Sequence, residues 1–156
     1  MVRAAFFDLD KTILDTSSNV ALSGPFIEAG LMNRRTAITS VLVQLPYLLT
    51  GADESRMEQM AQALGRMGRG WNAAFLEATV EDALERTIQP VCYAQALARI
   101  EQHKRAGDII VIASASVEQV VRPIAQMLGA DEVLASRAAV DEDGCFTGEI
   151  THFNQA

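Results

Sequence analysis

The chain has 156 residues, of which 49% are hydrophobic, enough for one ordinary domain with one core and too few for two full domains. Its formal charge of −7 and the lack of a basic patch exclude nucleic acid as a partner, because that affinity comes from clustered Lys and Arg on phosphates. Cys92 and Cys145 stand far apart, with no CxxC spacing and no Cys/His cluster. That pattern points to reduced thiols and to neither a disulfide framework nor a zinc site.

The first predicted element is a buried strand over Ala4-Ala5-Phe6-Phe7, which runs straight into Asp8-Leu9-Asp10-Lys11-Thr12. The run is too short for the apolar stretch of a secretory leader and Asp8 breaks it, so a cytoplasmic protein is expected. Two carboxylates two residues apart at a strand end are costly to desolvate unless they are paired or hold a metal. They therefore mark a candidate cation site, and a carboxylate so placed can also serve as a nucleophile toward phosphorus. The plainer alternative is that two acids merely end a strand and begin a turn.

From Ser18 to Glu85 apolar residues recur every three or four positions, which predicts several short helices punctuated by Gly30, Pro46, Gly51 and the Gly65, Gly68, Gly70 series. No strand precedes Gly65–Gly70, so it reads as a helix-to-helix hinge and not as a phosphate-cradling loop. The apolar stretch Ala37–Leu49 falls short of the ~20 residues that span a bilayer. It reads as a buried helix pair without stable membrane insertion; the membrane-surface alternative needs a strongly basic face, and only Arg34 and Arg35 are near.

Beyond Pro90 an α/β rhythm begins. A helix is expected over about Tyr93 to Arg105, then a central parallel strand at Ile109-Ile110-Val111-Ile112-Ala113. Ser114-Ala115-Ser116 follows, and Ser116 with Gln119 forms a capping-box pattern that opens a helix ending near Gly129, with Pro123 expected to kink it or loosen its first turns. A short strand over Glu132 to Ala135 precedes a β-hairpin around Asp143-Gly144. Asp141, Glu142 and Asp143 read as its solvated turn in preference to a metal cluster. His103 and His152 have no motif around them and read as surface residues.

The fold class expected is therefore α/β: a Rossmann-like parallel-sheet core with an inserted all-helical cap and a β-hairpin near the C-terminus. In such a sheet ligands gather beyond the carboxyl ends of the strands. Asp8 and Asp10 lie at one such end. Ser114 lies at the next, with a helix N-terminus behind it that can seat a phosphate.

The Asp8, Asp10, Thr12 pattern after an N-terminal apolar strand resembles motif I of the haloacid dehalogenase superfamily, and its DLDKT form resembles the phosphoserine-phosphatase-like branch. The resemblance implies a core of residues 1–14 and 90–156, incomplete, with a helical cap over 15–89. It implies a Mg²⁺-dependent phosphomonoesterase acting on a small phosphorylated metabolite. In it Asp8 is nucleophile and metal ligand, and Asp10 is general acid/base and a second metal ligand through its carbonyl. Thr12, Ser114 and Ala115 are the expected phosphate-binding positions. Two departures speak against a dedicated phosphoserine enzyme: Thr16-Ser17-Ser18-Asn19 stands where that branch carries a glutamate, and Ala115-Ser116 where it carries glycines.

A complete member also needs a Lys and an acidic cluster, neither of which is recognisable here. Lys104 falls at the amino edge of the sheet, as do Asp131 and Glu132, and Lys11 sits where the family varies. The resemblance thus implies a chain that continues past Ala156; a chain ending there is expected to turn over little substrate. The alternatives are an inactive phosphate- or partner-binding domain on the same core, or a phosphatase of phospholipid-type substrates, motivated by Ala37–Leu49. Oligomeric state is not readable from the sequence.

Overall fold

A computed structural model of the chain describes residues 1–40, 42 and 54–154. In chain order the elements are β1 (Ala4–Asp8), α1 (Ser18–Ala21), α2 (Ser23–Glu28), α3 (Glu54–Met67), α4 (Ala73–Ala83), α5 (Ala94–Arg105), β2 (Ile109–Val117), α6 (Glu118–Met127), β3 (Glu132–Val140) and β4 (Phe146–His152). Residues 34–40 are also helical. Of the stretch expected to form a buried helix pair, Ala37 and Ser40 are buried while Ile38 and Leu42 are exposed; its remainder, 41 and 43–49, lies outside the described residues. Among the described residues no helix is long and apolar enough to cross a membrane.

Among the described residues the sheet has four strands in the order β1-β2-β3-β4. The first three are parallel and β4 returns antiparallel to β3. Ile110 to Ala113 are buried in succession, as expected of a parallel strand covered on both faces. Around them pack Val121, Ile124, Leu9, Ile13 and Ile88, all fully buried; each such aliphatic side chain contributes about 1.5–3 kcal/mol on leaving water. β1 departs from the expectation of a buried strand. Among the described residues it pairs with β2 and with no other strand, and its burial alternates so that Phe6 is 65% exposed.

Register decides which residues meet. Asp8 pairs with Ala113, so the segments after both strands, carrying Asp10 and Ser114, emerge side by side. The chain leaves the sheet and returns to it through a paired crossing, with Asp15 N–H donating to Val91 O at 2.9 Å and Tyr93 N–H to Ile13 O at 2.8 Å. Between these points α4 packs on α6, and α3 packs on β4.

Two strands run further than their sequence implies. β2 continues past Ala113 to Val117 because a register irregularity lets Val117 pair with Ser136. β3 reaches Val140 because its first half joins β2 and its second half joins β4. The extension of β2 displaces the expected capping box. The cap of α6 is Val117 with no side-chain bond, while Ser116 Oγ pairs with Ser18 Oγ at 3.2 Å. α6 runs through Pro123 as one helix and stops before Gly129, whose φ is +70°. The hairpin forms as expected: Gly144 takes φ +80°, and Asp141 Oδ1 accepts the backbone N–H groups of Asp143 and Cys145 at 2.9 and 3.0 Å.

His103 is not an idle surface residue. Its Nδ1 lies 2.8 Å from Asp108 Oδ2, and its ring stands edge-on to Phe7 at 5.8 Å between centroids. Arg3 Nε donates to the other oxygen of Asp108 at 2.9 Å. The three side chains therefore tie the start of β1 to the start of β2 at the amino end of the sheet.

Candidate active site

Asp8 closes β1, and a tight turn over Leu9–Ile13 carries Asp10. The turn is anchored by Leu9, Ile13 and Leu14, all fully buried, and is closed by Leu14 N–H to Leu9 O at 3.0 Å and Lys11 N–H to Thr16 O at 3.2 Å. Lys11 occupies the left-handed region with φ +60°, the one non-glycine residue to do so among the described residues. That conformation is uncommon for a side chain with a Cβ and reverses the chain sharply after Asp10. Asp8 and Asp10 consequently line one cavity while Lys11 and Thr12 remain exposed.

Asp10 is held from two sides. Ser18 N–H donates to Oδ1 at 2.6 Å, and Ser114 Oγ–H donates to Oδ2 at 2.8 Å. Ser17 caps α1 by accepting from Val20 N–H, which sets the start of that helix and leaves the next N–H free for the carboxylate. Ser114 Oγ in turn accepts from Ser116 N–H at 3.1 Å, and Ser116 Oγ pairs with Ser18 Oγ. Asp10, Ser18, Ser116 and Ser114 thus form a closed ring. A hydrogen bond to a charged group contributes roughly 1.5–3 kcal/mol, and each carboxylate oxygen retains a second lone pair.

The two hydroxyls expected at a phosphate are engaged elsewhere. Ser114 is fully buried and gives its proton to Asp10; Thr12 gives its proton to Asp8 Oδ2 at 3.0 Å. Ala115 and Ser116 do line the cavity. Burial pushes the Asp8 carboxyl above the ordinary 3.8; the Thr12 hydroxyl opposes this and the Asp10 charge adds to it. Partial desolvation plus a neighbouring like charge is an arrangement that a divalent cation relieves. The donors present are hard oxygens, and Mg²⁺ is commonly held through one or two carboxylates together with phosphate and water, so these residues fit that ion. Among the described residues no group of three His, Cys, Asp or Glu side chains is close enough to hold a metal.

The cavity has a volume of about 330 Å³. Its polar lining includes Asp8, Asp10, Ser17, Asn19, Ser40, Ser116 and Ser136, and its apolar lining includes Phe26, Met60, Leu64, Trp71, Phe146 and Ile150. Phe26 and Trp71 meet edge to face at 5.8 Å. No Lys, Arg or His is among the described residues that line it. Lys104 is far from it: its Nζ donates to Leu128 O at 2.7 Å, where α6 ends and before β3 begins.

The sequence gives no sign of Asn154, which fastens this end of the molecule. Its Nδ2 donates to Ser114 O at 3.0 Å and to Leu134 O at 2.9 Å, and its N–H donates to Ser136 Oγ at 3.0 Å. These bonds fold the segment after β4 back over the ends of β2 and β3, and Phe153 joins the cavity wall. Ser18 also escaped notice as a partner of Asp10, although the Ser17 cap is a readable signal for free N–H groups there.

A family model described as haloacid dehalogenase-like hydrolase matches residues 5–156. The chain is 43% identical over 150 residues to an inhibition of morphological differentiation protein of Streptomyces azureus, covering 96% of this chain and 54% of that protein. It is also 43% identical over 150 residues to a probable phosphatase of Mycobacterium tuberculosis, covering 96% and 52%. The chain therefore spans about half the length of these curated relatives. Among solved structures, a protein of unknown function from Bordetella pertussis Tohama I superposes with a TM-score of 0.78 at 24% identity, covering 96% of this chain and 66% of that one. A phosphoserine phosphatase captured as a phospho-aspartyl intermediate analogue superposes with a TM-score of 0.66 at 17% identity, covering 97% and 63%. At these identities the superpositions show a common fold.

Proposed function

The chain belongs to the haloacid dehalogenase-like hydrolase family, and on that premise we propose that it carries the nucleophile half of a Mg²⁺-dependent phosphomonoesterase site acting on a small phosphorylated substrate in the cytoplasm. One observation carries the reading. Asp10 is fixed by Ser18 N–H and Ser114 Oγ–H in the same cavity as a half-buried Asp8.

In this reading an Asp8 carboxylate oxygen attacks phosphorus in line, and the P–O bond to the alcohol breaks as the aspartyl-phosphate forms. Asp10 gives a proton to the departing alkoxide. It then takes one from the water that attacks the same phosphorus, releasing inorganic phosphate and restoring Asp8. The ring of hydrogen bonds around Asp10 fixes the orientation of this acid/base, and positioning governs rate. The Asp8 carboxylate and Asp10 carbonyl would hold Mg²⁺, which when bound neutralises charge on the phosphoryl oxygens. Thr12 and Ala115 remain the proposed phosphate contacts; Ser114 would reach a phosphoryl oxygen only by giving up its bond to Asp10. Residues 15–89 are proposed as the cover over a core of 1–14 and 90–156.

Asp8→Asn is expected to lower Mg²⁺-dependent phosphate release by more than about 10³-fold, the scale seen when a nucleophile is removed. Full activity in that variant overturns the assignment. A second reading is an inactive phosphate- or partner-binding domain on the same core. It is distinguished by a melting temperature that rises with phosphate or Mg²⁺ while no phosphate is released.

A further inference from the structure

The ladder between β2 and β3 is interrupted where the candidate site is built. Along β2 the successive paired residues are Ala113 and Val117, while along β3 they are Leu134 and Ser136. The longer step on β2 leaves Ser114-Ala115-Ser116 as a bulge. A bulge re-aims side chains and gives up ladder bonds that would otherwise hold its backbone. This one turns both of its hydroxyls to the site: Ser114 Oγ–H donates to Asp10 Oδ2 at 2.8 Å, and Ser116 Oγ pairs with Ser18 Oγ at 3.2 Å. Asn154 spans the interruption. Its Nδ2 donates to Ser114 O at 3.0 Å on the bulged strand and to Leu134 O at 2.9 Å on the neighbouring one, using both protons that an amide offers. Its backbone N–H donates at 3.0 Å to Oγ of Ser136, the buried residue at which pairing resumes. One side-chain amide thus ties the two strands together across the gap and fixes the peptide that follows Ser114.

We infer that Asn154 is a positioning residue: by holding the bulge at Ser114 O and Leu134 O, it sets the direction in which Ser114 presents its hydroxyl to Asp10. Its role in turnover rests on the phosphomonoesterase reading, in which Asp10 is acid and base; its role in the geometry does not. Without the amide, two carbonyls lose their donor where the ladder is already interrupted. The Ser114 peptide then turns, and Asp10 Oδ2 loses the hydroxyl that orients it.

The test uses the protein at the full length its gene encodes, with carbon-13 in its aspartate carboxyls and no metal. It follows the Cγ resonance of Asp10, assigned by its loss in Asp10→Asn. That resonance reports the hydrogen bonds the carboxylate accepts, whether or not an ester is turned over. Ser114→Ala should move it. Asn154→Ala should move it in the same direction, and in the Ser114→Ala background should move it no further, because Asn154 acts through the Ser114 hydroxyl. Asn154→Asp keeps the shape but sets a carboxylate against two carbonyls, and should also move it. An Asp10 resonance that stays in place in both Asn154 variants overturns the inference even if both melt lower, since Asn154 then only ties down the chain. A shift of equal size with and without the Ser114 hydroxyl overturns the route through Ser114. Mg²⁺-dependent phosphate release from a panel of small phosphomonoesters is read on the same full-length proteins. Expected for Asn154→Ala is a kcat lowered about ten- to hundredfold with KM changed less than about twofold, the mark of a misplaced group. An unchanged kcat beside a moved resonance overturns the role in turnover and leaves the hydrolase standing. No release by the full-length wild type overturns the phosphomonoesterase reading, and the Asp10 resonance still decides whether Asn154 aims Ser114.

Discussion

Ser114 shows how much a single hydroxyl can hold at this site. It is fully buried, donates to Asp10 Oδ2 and accepts from Ser116 N–H, so removing it leaves a carboxylate oxygen and a backbone donor without partners at once. Ser114→Ala is expected to cost about 1–3 kcal/mol, the penalty for unsatisfied buried polar groups. Urea unfolding should show a lower midpoint with an unchanged slope. Asp8, Asp10 and Ser114 were legible in the sequence because carboxylates and a serine at the ends of apolar strands are conspicuous. Their partners were not. Ser18 acts through its backbone, which any residue type could supply, and Asn154 reaches Ser114 across 40 positions only once the hairpin has set its register. The hydroxyls of Thr12 and Ser114 were legible as polar groups near a phosphate, but not as donors to Asp8 and Asp10, because a hydroxyl's choice of acceptor depends on tertiary geometry.

Among the elements, α6 ends where its sequence says it must and begins where its sequence misleads. Gly129 takes φ +70°, a requirement that only glycine meets cheaply, and so the stop was readable. The start was not, because the Ser116 and Gln119 pattern presupposes that β2 has already ended. The strand instead carries on to Val117 and turns Ser116 toward Ser18. At the far end a Cβ on Gly129 would run into Lys104 Nζ, the group that caps the helix through Leu128 O. Gly129→Ala should therefore lose about 1–2 kcal/mol, from the left-handed backbone and the displaced lysine together. Part of that loss is shared with Lys104, so in a double-mutant cycle with Lys104→Ala the two costs should sum to more than the double variant shows. Strict additivity would mean that Lys104 does not hold the helix end.

Across the whole molecule the sheet is polarised. Its carboxyl end gathers Asp8, Asp10 and the cavity, and its amino end gathers Arg3, Asp108 and His103. The amino-end cluster matters to the site because β1, which carries Asp8, pairs with β2 and with no other strand among the described residues; what fastens the start of β1 fastens the strand that presents Asp8, the proposed nucleophile. The hydrogen bond from His103, assisted by Arg3, holds the Asp108 carboxyl below its ordinary value of 3.8, against the opposing effect of burial. A folded-state pKa lowered in this way gives the sign of the pH dependence. The unfolded chain takes up its proton first as pH falls, so the stabilisation is fully present above the ordinary value and is lost as pH drops through the lowered one. Many other acids titrate in that range and the formal charge of −7 shrinks with them, so the informative quantity is a difference between two proteins measured side by side. Wild type should melt above Asp108→Asn near pH 6, and the gap should narrow as pH falls below about 4 and on through the lowered value, where Asp108 takes up its proton and becomes neutral like the asparagine. A gap that stays constant from pH 6 to pH 3 would mean that the cluster holds β1 by packing of His103 on Phe7 and not by charge. The hold on β1 should then be indifferent to acid until the core itself gives way.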